Sequence, residues 1–447
     1  MDMTLNDYLL LELTQKLKNP LEVKAFMEDP ANANPDPLTP HAVEWADLSP
    51  ASGYPGLLLL FSTLHRNGLL EKGDEIAHQY VIKIKEAIEK DFYPHYSLFG
   101  GVCGISFAIQ QASMDGKRYQ PMLNTLHQFL IKGVRKEFLE PFEALIRSGT
   151  PIPSSFYDCI SGISGIGRYT LENTSNPELL ELSCDITKML IRLTQNINID
   201  GKFVPGWYLP PQDLLNWQIV STHTKGNFNL GVAHGIPGVL SLLSAASLKG
   251  INVEGQKEAI VSLSTWIRNR SFYDNSTIRW SHSISWEEEM QKKPNGKAKS
   301  QDGWCYGAPG VARTLFLAGK ALKDDELKTF SAEAYRGIFK RKPDEWQLPG
   351  PALCHGVAGL LLITNEMAKE KECADLKHHV EDLRKNVLSF YDPKSPYGFQ
   401  DSEPCKNGNR VWINKAGYLN GTTGILLSML TLSDPNPNWH LPFMMHA

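Results

Sequence analysis

The sequence lacks any long apolar run. Stretches such as Leu57 to Phe61 fall far short of the ~18 residues a membrane-spanning helix needs. It has no Cys-x-x-Cys pair, the spacing on which conventional structural zinc sites are built. Its seven cysteines are odd in number and scattered, which argues against a disulfide framework. The N-terminus, Met1 to Lys18, carries an early aspartate and an apolar period near 3.6, so it reads as a surface helix and not as an export signal. Reduced thiols in a cytoplasmic protein are the expectation. Charge of one sign is lacking too. A formal net charge of -4 gives no global reason to expect nucleic-acid binding. Facing carboxylates, which glycoside hydrolysis requires, are not apparent, because only Asp158 stands at a repeated position.

What the chain does have is a repeat. Gly-x-x-Gly occurs seven times, with first glycines at Gly53, Gly101, Gly162, Gly235, Gly307, Gly356 and Gly421. Chance at ordinary glycine usage would give about three. Most instances run straight into an apolar stretch, such as Val239 to Leu243 or Leu360 to Ile363. Glycines at i and i+3 lie on one face at the start of a helix and let neighbouring backbones approach. Between instances lie amphipathic, charged segments, such as Asp74 to Lys90, Pro177 to Gln195 and Asp324 to Arg341. The pattern predicts an all-α protein of seven helix pairs, one helix buried and one outer, closed into a ring. Closure lets one core serve all 447 residues as a single domain, although that length exceeds the usual size of one core. Two intervals carry extra material, at 198–229 and 269–301. Their Gly, Pro and aromatic residues suit strands and loops beside a cleft. The Pro/Asn-rich tail from Ser433 is expected to wrap the surface.

The candidate chemistry sits in one slot of the repeat. The two residues before the first glycine are Ala233-His234 in repeat four, Cys305-Tyr306 in repeat five and Cys354-His355 in repeat six. Taken alone, Cys305 is more readily a small buried residue than a ligand. Three soft or borderline donors in one repeated slot suggest a metal instead. Cys305, Cys354 and His355 suit zinc with its fourth position open, the arrangement of catalytic zinc. Cys103, Cys159, Cys184, Cys373 and Cys405 lack that setting and are read as packing residues. His234 is a candidate general acid/base or a residue capping a helix start. Asp158, four residues before Gly162, either orients a histidine or caps a helix.

The segments Tyr157-Asp158 with Gly162/Gly165, Ala233-His234-Gly235, Trp304-Cys305-Tyr306-Gly307-x-Pro309-Gly310 and Cys354-His355-Gly356-x-Ala358-Gly359 resemble motifs of the lanthionine synthetase C (LanC) family. These are the class I lanthipeptide cyclases of the nisin/subtilin cyclase type. The resemblance runs from about Gly53 to Leu427. It implies an α,α-toroid of seven inner and seven outer helices with small β or loop insertions. It implies one zinc ion (Zn2+) per chain, bound by Cys305, Cys354 and His355. It also implies acid/base roles for His234 and Asp158 and a supporting role for Tyr306. The implied substrate is a dehydrated precursor peptide, whose cysteine thiols add to dehydroalanine or dehydrobutyrine to close lanthionine or methyllanthionine rings. The implied partners are a lantibiotic dehydratase and an exporter, with membrane association through that complex. One departure stands out. Nisin-type members carry an arginine four residues before the first zinc cysteine, and Gln301 stands there in this chain. Lys299 is one basic residue nearby that would replace it. Two other readings stay open: a LanC-like protein that adds or binds glutathione, and a non-catalytic scaffold of the synthetase complex.

Overall fold

The computed structural model describes residues 5–38, 44–90, 95–214, 224–294, 301–432, 434 and 437–446. Each Gly-x-x-Gly starts a buried helix. In chain order the inner helices are α3 (Tyr54–Arg66), α5 (Val102–Ala112), α9 (Ile163–Leu171), α11 (Ile236–Leu248), α14 (Ala308–Leu322), α16 (Val357–Ala368) and α18 (Thr422–Leu430). A helix that is apolar on all sides belongs inside, and α11 is buried along nearly its whole length. Outer helices follow six of them: α4 (Gly73–Lys90), α6 (Gln120–Val134), α10 (Pro177–Leu193), α12 (Gln256–Arg268), α15 (Asp325–Ile338) and α17 (Lys377–Leu388). These bury one stripe and expose charge on the other. At the N-terminus, α1 (Leu5–Lys16) and α2 (Pro20–Met27) complete the outer layer between the last repeat and the first. The Leu17 carbonyl accepts a hydrogen bond from Tyr80 of α4, and Leu13 packs at Gly398. α6 continues through one wider turn into α7 (Glu140–Ser148), and the short α8 (Ser154–Tyr157) leads to Asp158.

The glycines set the ring. A Cβ on the second glycine of a pair would meet the residue three positions before the first glycine of the preceding repeat. From Gly104 it would lie 2.3 Å from Pro50, and from Gly310 it would lie 2.7 Å from Val232. From Gly56 it would lie 2.8 Å from Tyr418, which joins the first repeat to the seventh. Adjacent inner helices pack in sequence order, and α18 packs on α3 to close the α,α-toroid. Every inner helix has its first glycine as N-cap, so no side chain caps it. The loop before each helix folds back instead. Val357 N–H donates to the Gly350 carbonyl and Thr422 N–H to the Lys415 carbonyl, for example. A second set of backbone bonds runs around the mouth. Cys305 N–H donates to Cys354 O, Cys354 N–H to Leu419 O, Leu419 N–H to Ala51 O, and Ala51 N–H to Phe99 O. These are the residues two before the first glycine in repeats five, six, seven, one and two.

Short strands decorate this mouth. In the first long interval, β1 (Asn196–Ile199) and β2 (Lys202–Pro205) form a hairpin, followed by β3 (Asn227–Asn229). In the second, β4 (Phe272–Asp274) pairs with β5 (Thr277–Arg279), and β6 (Ser283–Ser285) leads into α13 (Trp286–Gln291). β3 pairs antiparallel with β6, so the two intervals are joined to each other. Parts of both, 215–223 and 295–300, lie outside the described residues. A third hairpin, β7 (Gln400–Pro404) with β8 (Arg410–Asn414), stands between α17 and α18.

The tail does not wrap the surface. It runs into the ring, and Trp439, Phe443, Met444 and Met445 are all buried. Its carbonyls are tied to the ring wall: Ser241 Oγ bonds Met444 O, Arg313 Nε bonds Met445 O, and Trp304 Nε1 bonds Phe443 O. Pro and Asn in this stretch report local backbone preference, whereas the aromatic and methionine-rich segment from Trp439 is buried. Burial, with Lys369 and Arg168 adding to it, pushes His440 down to about 4, and His446 is pushed down as well. Unfolded, both imidazoles take up a proton near 6.5. Below that pH these two groups bind more protons in the unfolded chain than in the folded one, so the stability they contribute is full above 6.5 and falls toward pH 4. Thermal melts across that range should show the fall in the wild type and a shallower one in His440→Gln.

Candidate metal and acid–base site

The repeat slot brings the sequence candidates together in two groups on one rim. In the first, the Cys305–Cys354 backbone bond, 3.2 Å long, fixes repeat five against repeat six. Gly303 lies against the other loop, where a Cβ would make ordinary contact with His355 Cα at 3.4 Å. The thiols hydrogen-bond to one another, so one sulfur ionises more easily at the other's expense. That bond, with His355 and His234 nearby, holds Cys305 below the ordinary thiol range, against burial. Cys354 is held well above it, by the same bond and by burial. Gln301 Nε2 donates to Cys305 Sγ at 3.4 Å, so the residue at the departure point contacts the site without bringing a charge. Lys299 lies outside the described residues.

In the second group, His234 Nδ1 lies 2.7 Å from Asp158 Oδ2. The other carboxylate oxygen accepts from Ser161 N–H at 2.7 Å and Gly162 N–H at 2.8 Å. Asp158 therefore orients a histidine and holds the turn that leads into α9, whose N-cap is Gly162. Burial alone would lower the His234 pKa, but Asp158 and, more weakly, Cys305 raise it. With Nδ1 against a carboxylate, the exchangeable position of the ring is Nε2. Tyr306 follows Cys305 directly. Its hydroxyl accepts from Asn229 Nδ2 at 3.1 Å, and its ring packs 4.7 Å from that of His282. Asn229 and His282 come from the two joined intervals, through β3 and the approach to β6.

Other neighbours carry no signal in the sequence. Asp401, on β7, lies with Oδ1 3.3 Å from His355 Nε2. Lys415, just past β8, lies with Nζ 3.5 Å from Asp401 Oδ2. Asp401 counteracts burial to raise the His355 pKa. Arg341 pairs with the buried Asp302 and pins the loop before Cys305. A cavity of about 610 Å³ opens beside this rim, lined by Gln301, Trp346, Leu348, Val357, Phe390 and Arg410 among others.

Among the described residues, no three His, Cys, Asp or Glu side chains converge closely enough to enclose an ion in this conformation. The donor set fits a soft ion all the same. Two thiols are in contact, one of them acidified, and a histidine follows Cys354 directly.

The family description "Lanthionine synthetase C-like protein" matches residues 44–445. This chain belongs to the lanthionine synthetase C-like family. Its relatives include the nisin biosynthesis protein NisC of Lactococcus lactis subsp. lactis, 23% identical over 360 residues, which are 80% of this chain and 83% of that protein. A solved structure of nisin cyclase superposes with a TM-score of 0.75 at 22% identity, covering 89% of this chain and 92% of that one. At that identity the superposition speaks for the LanC-like toroid. No helix among the described residues is long and apolar enough to cross a membrane.

The His234–Asp158 pair has a direct check. In Asp158→Asn the charge is lost and burial remains, so the His234 pKa should fall below its wild-type value. An NMR titration of the histidine ring reads this, and an unmoved pKa would contradict the pairing.

Proposed function

We propose that this chain is a zinc-dependent lanthipeptide cyclase acting on a dehydrated precursor peptide. The observation that carries this reading is one rim shared by the acidified Cys305, its neighbour Cys354, the adjacent His355 and the Asp158–His234 pair. Family membership and the likeness to NisC and nisin cyclase support the same reading.

Cys305, Cys354 and His355 would hold the ion, leaving one position for the substrate. Bound there, zinc supplies a soft Lewis acid at which a peptide cysteine is deprotonated near neutral pH. In the reaction, the peptide sulfur bonds to the β-carbon of dehydroalanine or dehydrobutyrine. The alkene electron pair moves toward the neighbouring carbonyl, giving an enolate. His234, held by Asp158, delivers a proton from Nε2 to the α-carbon. The thiol proton lost at the start balances the one gained at the end. Tyr306, fixed by Asn229 and packed by His282, lines the space where the enolate forms. Gln301 supplies a neutral hydrogen bond where nisin-type members place an arginine. The cavity beside Gln301, with Arg410 in its wall, suits a polar peptide segment flanking the reacting residues. A dehydratase and an exporter complete the proposed assembly in the cytoplasm, and any membrane association runs through them.

Incubation with a peptide carrying one cysteine and one dehydroalanine tests this. Ring closure leaves the mass unchanged and removes the thiol from alkylation. His234→Gln should slow closure by ~10²–10⁴-fold, the usual worth of a positioned acid/base. Preferential capture of added glutathione over ring closure would turn the reading toward a glutathione-adding protein. Undiminished closure by metal-free Cys305→Ala would overturn it.

A further inference from the structure

The β7–β8 hairpin brings a buried charge to the rim that the proposed chemistry does not yet use. Asp401 is only 2% exposed, and neither carboxylate oxygen has a hydrogen-bond partner of good geometry within the described residues. A buried carboxylate is costly unless something near it requires the charge. Lys415, with Nζ 3.5 Å from Oδ2, balances part of that charge. That ammonium already pairs with Glu403 and lies 3.5 Å from Glu44. A third carboxylate around one lysine adds repulsion among the acids, and Glu44 is accordingly pushed up by burial and by its acidic neighbours. The other group that faces Asp401, and the nearer of the two, is His355, with Nε2 3.3 Å from Oδ1.

An imidazole has two nitrogens, and each does one job. With Nε2 turned to a carboxylate, Nδ1 is the nitrogen left for a ligand. Histidines that bind metals usually donate their other N–H to a carboxylate or carbonyl, which fixes the tautomer and the ring plane. We propose that Asp401 is the positioning residue of His355: it accepts the Nε2 hydrogen and presents Nδ1 to the metal site of Cys305 and Cys354. The inference rests on the zinc reading. The hairpin is built for the task. Asp401 is paired in register with Ile413, two residues before Lys415, so the acid and its lysine anchor arrive on neighbouring strands. The hairpin between α17 and α18 thus contributes to a site whose ligands come from repeats five and six.

The test uses the full chain stripped of metal. Cobalt(II) is titrated in and followed by its visible bands, and zinc affinity is measured by competition with a chromophoric chelator. Asp401→Asn should bind zinc ~10–100-fold more weakly than wild type, the usual cost of losing such a partner. Its cobalt bands should stay in place, because the ligands are the same. Asp401→Glu keeps the charge but shifts it, and should show a smaller loss; it carries the test if the asparagine variant does not fold. Unchanged affinity in a wild type that binds metal would overturn this inference alone. Displaced cobalt bands would make Asp401 a ligand and also overturn it. A wild type that takes up neither ion would overturn the inference and the zinc reading together.

Discussion

Everything at the mouth depends on the contact between a glycine and the loop of the previous repeat. The second glycine of each pair has no room for a side chain, because a carbonyl of its own loop occupies that space and a residue of the preceding repeat's loop closes in beside it. That close approach sets the angle between successive inner helices, and repeated seven times it closes a ring. Closure places the residues before each first glycine on one rim, where backbone bonds such as Cys305–Cys354 and Cys354–Leu419 stitch the loops together. Residues far apart in the chain become neighbours through a local rule applied again and again.

The ring supplies positions, and the insertions supply environment. Asn229 and His282 reach Tyr306 from two intervals joined by one short ladder. Asp401 and Lys415 reach His355 from a third. The result is two partly buried histidines, each facing one carboxylate, near an acidified thiol. The two carboxylates are placed for different work. Asp158 is satisfied by two backbone N–H groups as well as His234, whereas Asp401 is balanced mainly by charge. The interior of the ring is filled by the chain's own tail, which makes the centre solid and leaves the chemistry to the rim.

The toroid was legible because its cause is local. A glycine pair followed by an apolar helix writes the same physical instruction seven times. The slot holding Cys305, Cys354, His355 and His234 followed from aligning those instructions, and Asp158 lay close enough to one of them to be noticed. Asp401 and Lys415 were not legible. They belong to a hairpin that is not part of the repeat, and a carboxylate or a lysine in a loop of ordinary composition carries no mark of burial. The tail was misread for a related reason. Its Pro and Asn residues report local backbone preference, while the burial of Trp439 and Phe443 depends on a cavity that exists only once the ring has closed.

The central claim is that repeats five and six together make one metal site. Elemental mass spectrometry of the purified chain, wild type beside Cys305→Ala, tests it most directly. The account predicts one zinc per wild-type chain and its loss in the variant. A wild type without zinc after supplementation, or a variant that keeps it, would contradict the account and leave the ring without its proposed chemistry.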